Sequence, residues 1–244
     1  MSELYALAEM TWPEFQAARA HLEIALVPLG ATEQHGPGGT FAADTARTEA
    51  FVRQLAGRLH PKAVCLPAFP YSVSLDQMCF PGTITLSAAT MTRVVEQIAV
   101  SLIRHGLKKI FFVTGHANTG PVLNNAVANL KSRYTEVKAG WVYLSSLAPD
   151  LRTAHLDGPG GHADEAELSE CLYLAPDTVR IDALVPGDPV PGDPPLRPIK
   201  LARPFSAVSR NGALGNPVSA SRQLGQMLIS ASLERLEAYL REHF

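Results

Sequence analysis

The chain has 244 residues, enough to bury a substantial core, and that length fits one domain spanning residues 1–244 better than two small ones. The formal net charge is −2 with no run of lysine or arginine, which argues against nucleic-acid and membrane-surface partners, because either would leave a basic patch visible in the sequence. Cys65, Cys79 and Cys171 are odd in number, far apart and in no Cys-x-x-Cys pair, so neither a disulfide framework nor a thiolate metal site is expected.

From the first residue onward, Met1 to Met10 carries Glu3 and Glu9 and no basic stretch followed by an apolar one, so no signal peptide is expected. No apolar stretch approaches the roughly 20 residues of a membrane span, and the expected location is the cytoplasm. Thr11-Trp12-Pro13-Glu14 combines a capping hydroxyl, a first-turn proline and a glutamate three residues on, the signature of a helix start. Ile24 to Leu29 is a short apolar run ending at Gly30 and predicts a buried strand. After a glycine-rich loop, the spacing predicts a helix over 45–59, then a strand over 63–66. A further helix over 89–105 is marked by Val94, Val95, Ile98, Leu102 and Ile103.

Lys109 to Thr114 is the clearest strand, and its apolar centre implies burial on both faces. A helix over 121–131, a strand over 137–144 and a helix over 163–174 follow. Pro186 to Pro198 is rich in proline and glycine and reads as loop, and 219–243 reads as a closing helix. Strands alternating with helices imply a mostly parallel sheet covered on both faces. In such folds ligands gather at the loops beyond the strands' C-terminal ends.

Three segments place metal-binding side chains at loops of this kind. Gly30-Ala31-Thr32-Glu33-Gln34-His35-Gly36-Pro37 follows the first strand, with Asp44 beyond it. Thr114-Gly115-His116-Ala117-Asn118 follows the strand over 109–114, and Gly161-His162-Ala163-Asp164-Glu165-Ala166-Glu167 opens a helix. Histidines with carboxylates are the donor set for zinc, manganese or iron. In an extended loop Glu33 and His35 project to the same side. On a helix His162 and Glu165, three apart, share a face. Asp44 has two oxygens and could bridge two ions. Taken singly, each of these residues has an ordinary reading as a polar loop residue or a first-turn acid; clustered at three such loops, they favour a metal site. Gly115 to Gly120 has a superficial phosphate-loop spacing, but Pro121-Val122 stands where lysine and a hydroxyl residue are needed. There is no Gly-x-Ser-x-Gly, His-Glu-x-x-His or Gly-x-Gly-x-x-Gly.

These segments resemble the creatininase family. Leu26 to Pro37 is similar to its most specific motif, Phe80-Pro81-Gly82-Thr83 to its Phe-Pro-Gly-Thr segment, His116 to its Gly-His loop and His162 to Glu167 to its His-Ala-Gly-Glu-x-Glu segment. Gly212-Ala213-Leu214-Gly215-Asn216-Pro217 falls where members carry Gly-x-x-Gly-Asp-Pro. The resemblance runs from about residue 24 to 220. It implies an α/β fold, a three-layer α/β/α sandwich with a mostly parallel central sheet. It also implies two divalent metal ions per subunit (zinc foremost, with manganese or iron as alternatives) and a homohexamer.

By position, the resemblance assigns Glu33, Asp44 and His116 to one ion, and His35 with the bridging Asp44 to the second. Creatinine-hydrolysing members supply a glutamate two residues after the loop histidine, where this chain has Asn118; Glu165 is therefore expected to complete the second ion's ligands. His162 matches the family's proton-transfer histidine. Gly38, Gln77, Asp164 and Leu168 depart from the family pattern, so the substrate is expected to be a small cyclic or linear amide rather than creatinine in particular.

The expected chemistry is hydrolysis of a C–N amide bond by metal-activated water, with His162 carrying a proton to the leaving nitrogen. Within the same family, a formamide deformylase or a modified-peptide hydrolase is the alternative, with Arg47 and Arg210 as candidate phosphate-binding residues. From another class, Asn118 and Asp164 would suit a non-catalytic oligomeric ligand-binding protein with a degraded metal site.

Overall fold

The computed structural model describes residues 4–156, 160–191 and 202–244. Five strands, β1 (Tyr5–Ala6), β2 (Ile24–Leu29), β3 (Ala63–Cys65), β4 (Lys109–Thr114) and β5 (Lys138–Tyr143), form one sheet in the order β1-β3-β2-β4-β5, every neighbouring pair parallel. Among the described residues seven α-helices accompany it: α1 (Trp12–Ala18), α2 (Ala43–Arg58), α3 (Ala88–Arg104), α4 (Gly120–Arg133), α5 (Pro149–His155), α6 (Glu165–Leu174) and α7 (Arg222–His243).

The alternation of side chains along each strand divides the core in two. Leu26, Cys65, Phe111 and Val113 face Phe51 and Leu55 of α2 and Ile229, Leu233 and Leu236 of α7. On the other side Ala25, Val27, Ile110 and Phe112 meet Met91, Val95 and Leu102 of α3 and Leu123, Ala126 and Leu130 of α4. The result is the expected three-layer α/β/α arrangement. Strand β2 is buried along its whole length, as a parallel strand covered on both faces must be.

Pro28 sits inside that central strand, where a missing N–H normally costs a ladder bond. It does no harm because β3 ends at Cys65, opposite Leu26. Beyond that point the Pro28 carbonyl accepts from the Phe69 N–H at 3.1 Å, and Gly30 N–H donates to the Phe69 carbonyl at 2.9 Å.

The helix start at Thr11 is as the sequence implies: Glu14 Oε2 accepts from the Thr11 N–H at 2.6 Å and from its hydroxyl at 2.7 Å. Helix α2 begins two residues before the expected 45, which brings Asp44 into its first turn. Helix α6 begins two residues later than the expected 163. The two-residue β1 and the seven-residue α5 were not anticipated. The described part of the Pro186–Pro198 loop has neither helix nor strand beyond an isolated bridge from Pro189 to Ser209, and its remainder lies outside the described residues.

From β2 the chain turns toward β3, whereas from β4, which lies beside β2, it turns the opposite way toward β5. The C-terminal ends of β2 and β4 therefore flank a topological switch point, where the loops diverge and leave a crevice. Leu29 and Thr114 are register partners there. The Glu33-Gln34-His35 and Gly115-His116 segments start one residue or a few beyond them.

Candidate metal centre

Helix α2 lies directly over this crevice. A Cβ on Gly30 would sit 2.4 Å from the Thr45 Cα, and one on Gly115 would sit 2.3 Å from the Thr48 hydroxyl and 2.8 Å from the Asp44 carbonyl. Only glycines let the first turn of the helix come this close to the two strand ends. Asp44 is thereby seated between the two loops, at a helix end whose free N–H groups favour an acid.

Around Asp44 the structure gathers Glu33, His35, His116, His162 and Glu167. Asp44 Oδ1 is 3.4 Å from His35 Nε2, and its Oδ2 is 3.6 Å from His116 Nδ1. Glu33 Oε1 lies 3.0 Å from His116 Nδ1 and 3.7 Å from His162 Nδ1. Glu167 Oε2 lies 3.8 Å from His35 Nε2 and 3.9 Å from His162 Nδ1. Among the described residues three overlapping trios have ligand atoms close enough to hold a cation: Glu33–Asp44–His116, His35–Asp44–Glu167 and Glu33–His35–His162.

Each histidine is oriented from behind. His35 Nδ1 faces the Glu33 carbonyl at 3.1 Å, His116 Nε2 the Val73 carbonyl at 3.0 Å and His162 Nε2 the Gln34 carbonyl at 2.8 Å. A carbonyl only accepts, so each of these nitrogens carries a proton and the other nitrogen of the ring is turned toward the carboxylates. Backbone bonds of this kind fix the tautomer of metal-binding histidines.

The donor set also fits divalent cations by what it leaves unsatisfied. Both Glu33 oxygens, His35 Nε2 and Asp44 Oδ2 are buried without a hydrogen-bond partner. Burying such groups unpaired costs several kcal/mol, about 1–3 for a polar group and more for a charge. Four of them converging on one another form a cradle for positive charge.

Electrostatically, the cluster supplies positive charge with protons when no cation is present. Burial opposes the charged form of His35, but Asp44, then Glu167 and Glu33, outweigh it and push the imidazole up to about 9. His116, equally disfavoured by burial, is raised to about 10 by Glu33 and Asp44. Burial pushes the acids up as well. Even so, His116 holds Glu33 below the usual carboxylate range, His35 and Arg47 do so for Asp44, and Arg47 and His35 for Glu167.

Glu165, expected as the last ligand, is not in the cluster. Its Oε2 accepts the Asn216 N–H at 2.8 Å and ties the Gly215–Asn216 loop to α6. Glu167 stands where Glu165 was expected. Because α6 starts at Glu165, His162 is not helical, and the shared face inferred from the three-residue spacing does not exist. Asp164 is the α6 N-cap, accepting from the Glu167 N–H and the Gly161 N–H, each at 2.8 Å. Ala163 takes a left-handed φ of 49° in the turn between His162 and the helix, and its N–H donates to Glu167 Oε2 at 2.7 Å.

The two arginines considered as phosphate binders are both engaged elsewhere. Arg210 pairs with Asp188 at 2.8 Å on the surface. Arg47 is fully buried beneath the cluster, donating to Glu167 and Glu170 at 2.5 Å each, to the Gly115 carbonyl at 2.6 Å and to Asp44 at 3.1 Å.

The remaining motif segments act as supports. Gln34 Nε2 donates to Gln77 Oε1 at 2.7 Å and to the Gly212 carbonyl at 3.0 Å, while the Gln34 N–H reaches the Thr83 hydroxyl at 3.2 Å. One side chain and its backbone thus join the Glu33–His35 loop to the Phe-Pro-Gly-Thr segment and the Gly212 loop. Above the cluster is a cavity of about 120 Å³, whose walls include Gln77, Asn118, Tyr143 and Phe205. Asn118 donates to Asp76 at 2.9 Å at the rim. Phe205, which the sequence did not single out, meets the His162 ring edge-on at 5.1 Å between centroids.

The creatininase family model, described as creatinine amidohydrolase, matches residues 8–240. Among curated relatives, the mycofactocin precursor peptide peptidase of Mycolicibacterium smegmatis is 33% identical over 209 residues, covering 84% of this chain and 79% of that protein. The creatinine amidohydrolase of Pseudomonas putida is 26% identical over 267 residues, covering 100% of this chain and 99% of that protein. A solved mutant creatininase of Zn–Zn type superposes with a TM-score of 0.83 at 25% identity, covering 98% of each chain. With the sheet order, the loop motifs and a match over nearly its full length, the chain belongs to the creatininase family of amidohydrolases.

Proposed function

We propose that the chain hydrolyses a C–N amide bond of a small cyclic or linear amide with two divalent cations, zinc foremost. Glu33, Asp44 and His116 would hold one cation, and His35, Asp44 and Glu167 the other, with Asp44 shared. The observation that carries the reading is the convergence of the unpartnered Glu33, His35 and Asp44 atoms in a buried cradle. Bound there, divalent cations supply a lowered water pKa and a Lewis-acid contact for an amide carbonyl.

The protein's own residues do the rest. The backbone carbonyls of Glu33, Val73 and Gln34 hold the three imidazoles in one tautomer. His162, the least buried of the three with 12% of its side chain exposed, borders the cavity. It would carry a proton to the leaving nitrogen. A cavity of about 120 Å³ is well under the roughly 300 Å³ of ordinary ligand pockets and suits a small reacting group.

The test is turnover by zinc-loaded and manganese-loaded protein on a panel of cyclic amides, formamides and short peptides. Elemental analysis of His162→Ala accompanies it. The expected result is full metal content with turnover lost; full metal content with full turnover would remove the assigned role of His162.

A second reading, hydrolysis of a modified peptide, is favoured by one feature. A groove of about 570 Å³ adjoins the cavity and shares Asp76 and Asn118 with it, so a longer substrate could lie with its amide in the cavity and its remainder in the groove. Peptide turnover with no turnover of small amides would select this reading. The hexamer implied by the resemblance is tested by light scattering on the purified protein.

A further inference from the structure

Arg47 is the largest fully buried side chain among the described residues, and its position is unusual for a charged group. It belongs to α2, yet it holds three other segments. Nη2 reaches the Gly115 carbonyl in the loop that carries His116, Glu167 Oε1 in the first turn of α6, and Asp44 Oδ1 one turn back in its own helix. Nη1 reaches Glu170 Oε2 and, at 3.3 Å, Ser145 Oγ beyond β5. Glu170 is in turn paired with Arg152 of α5. Glu167 Oε1 is thus held from below with Oε2 turned to His35, while Asp44 Oδ1 lies between Arg47 and His35 and its Oδ2 faces His116.

We propose that Arg47 is a positioning residue for the cation trio His35–Asp44–Glu167, fixing the two carboxylates and the His116 loop in one arrangement before any cation arrives. The inference rests on the two-cation reading above. Its physical basis is the shape of the guanidinium. A planar fork can donate to carboxylates on two sides at once, whereas a lysine ammonium at the same site is a single point of donation. The bland alternative is charge balance, in which Arg47 merely neutralises Glu170 and the neighbouring acids.

Three proteins separate these: the wild type, Arg47→Lys and the double variant Arg47→Met/Glu170→Met. Each is freed of metal, checked for folding by thermal melting, and titrated with zinc in competition with a chromophoric chelator. Wild type is expected to take two zinc ions; failure to do so overturns the two-cation reading itself and is recognisable without the variants. Both variants are expected to bind the second zinc about 10- to 100-fold more weakly, the size of effect seen when a metal ligand loses its support. Should Arg47→Lys not fold, the double variant decides, since it removes one buried positive and one buried negative charge together and leaves the net charge around the trio unchanged. A double variant that melts like wild type and binds both ions with wild-type affinity overturns the positioning role and leaves charge balance.

Discussion

Asp44 divides its carboxylate between two histidines, with Oδ1 3.4 Å from His35 Nε2 and Oδ2 3.6 Å from His116 Nδ1. The two trios that contain it, Glu33–Asp44–His116 and His35–Asp44–Glu167, have no other residue in common. Asp44→Asn keeps the side-chain shape but offers one oxygen in place of two. Metal content is expected to fall for both ions together. Activity should drop on the order of 10³-fold, from the loss of several kcal/mol of charge stabilisation. Elemental analysis alongside turnover checks this, and loss of a single ion would argue against a shared ligand.

Two of the three glutamates of α6, Glu165 and Glu167, separate cleanly by experiment. Glu167→Gln weakens the His35–Asp44–Glu167 trio and removes a partner of Arg47, so the second ion should be lost. Glu165→Gln should leave metal content unchanged and loosen the Gly215–Asn216 loop that its carboxylate holds. Asn118→Glu should not raise the number of ions bound, because on the proposed reading Glu167 supplies the acid. Metal analysis of the three variants ranks them.

Proton linkage makes a further prediction. In metal-free protein His35 and His116 hold their protons up to about pH 9 and 10, above the value near 6.5 of an unfolded chain. Their contribution to the stability of the metal-free protein is fully present below pH 6.5 and is lost as the pH rises through 9 to 10. Cations must displace the same protons. Zinc binding at pH 8 should therefore release protons, with affinity rising with pH and flattening above about pH 10. Calorimetry in buffers of different ionisation enthalpy counts the protons, and a count of zero would contradict the raised values.

Asp164 accounts for one departure from the family pattern without invoking a degraded site. As the N-cap of α6 it accepts two backbone N–H groups. Asp164→Ala is expected to cost about 1 kcal/mol. That corresponds to about 2–4 °C in melting temperature for a chain of this size. Asp164→Asn, which can still cap, should recover most of the loss.

The fold was largely legible because its long strands have apolar centres and its helices carry regular spacing. Tyr5–Ala6 escaped because two residues carry no period, and α5 because seven residues give barely two turns. The three ligand-bearing loops could also be read, since each follows a strand or opens a helix. Glu165 was the misplacement. The family's acidic segment offers both glutamates, and successive helical residues turn by about 100°, so Glu165 and Glu167 point to nearly opposite sides of α6 and Glu167 is the one that faces His35. Arg47 drew attention only as an anion binder. Its place three residues after Asp44 hinted at a shared helix face, but the acids it grips come from α6, far along the chain.

The absent side chains at Gly30 and Gly115 carry a consequence for how this scaffold can drift. Because both strand tips press on the opening turn of α2, even a methyl group at either glycine would lift that turn, and Asp44 with it, while leaving the sheet and both hydrophobic layers intact. Such a change would surface as a catalytic defect in a protein that still melts cooperatively. These two positions therefore act as spacers that set where Asp44 stands between the two loops, and selection on the chemistry, more than on folding, is what would keep them empty.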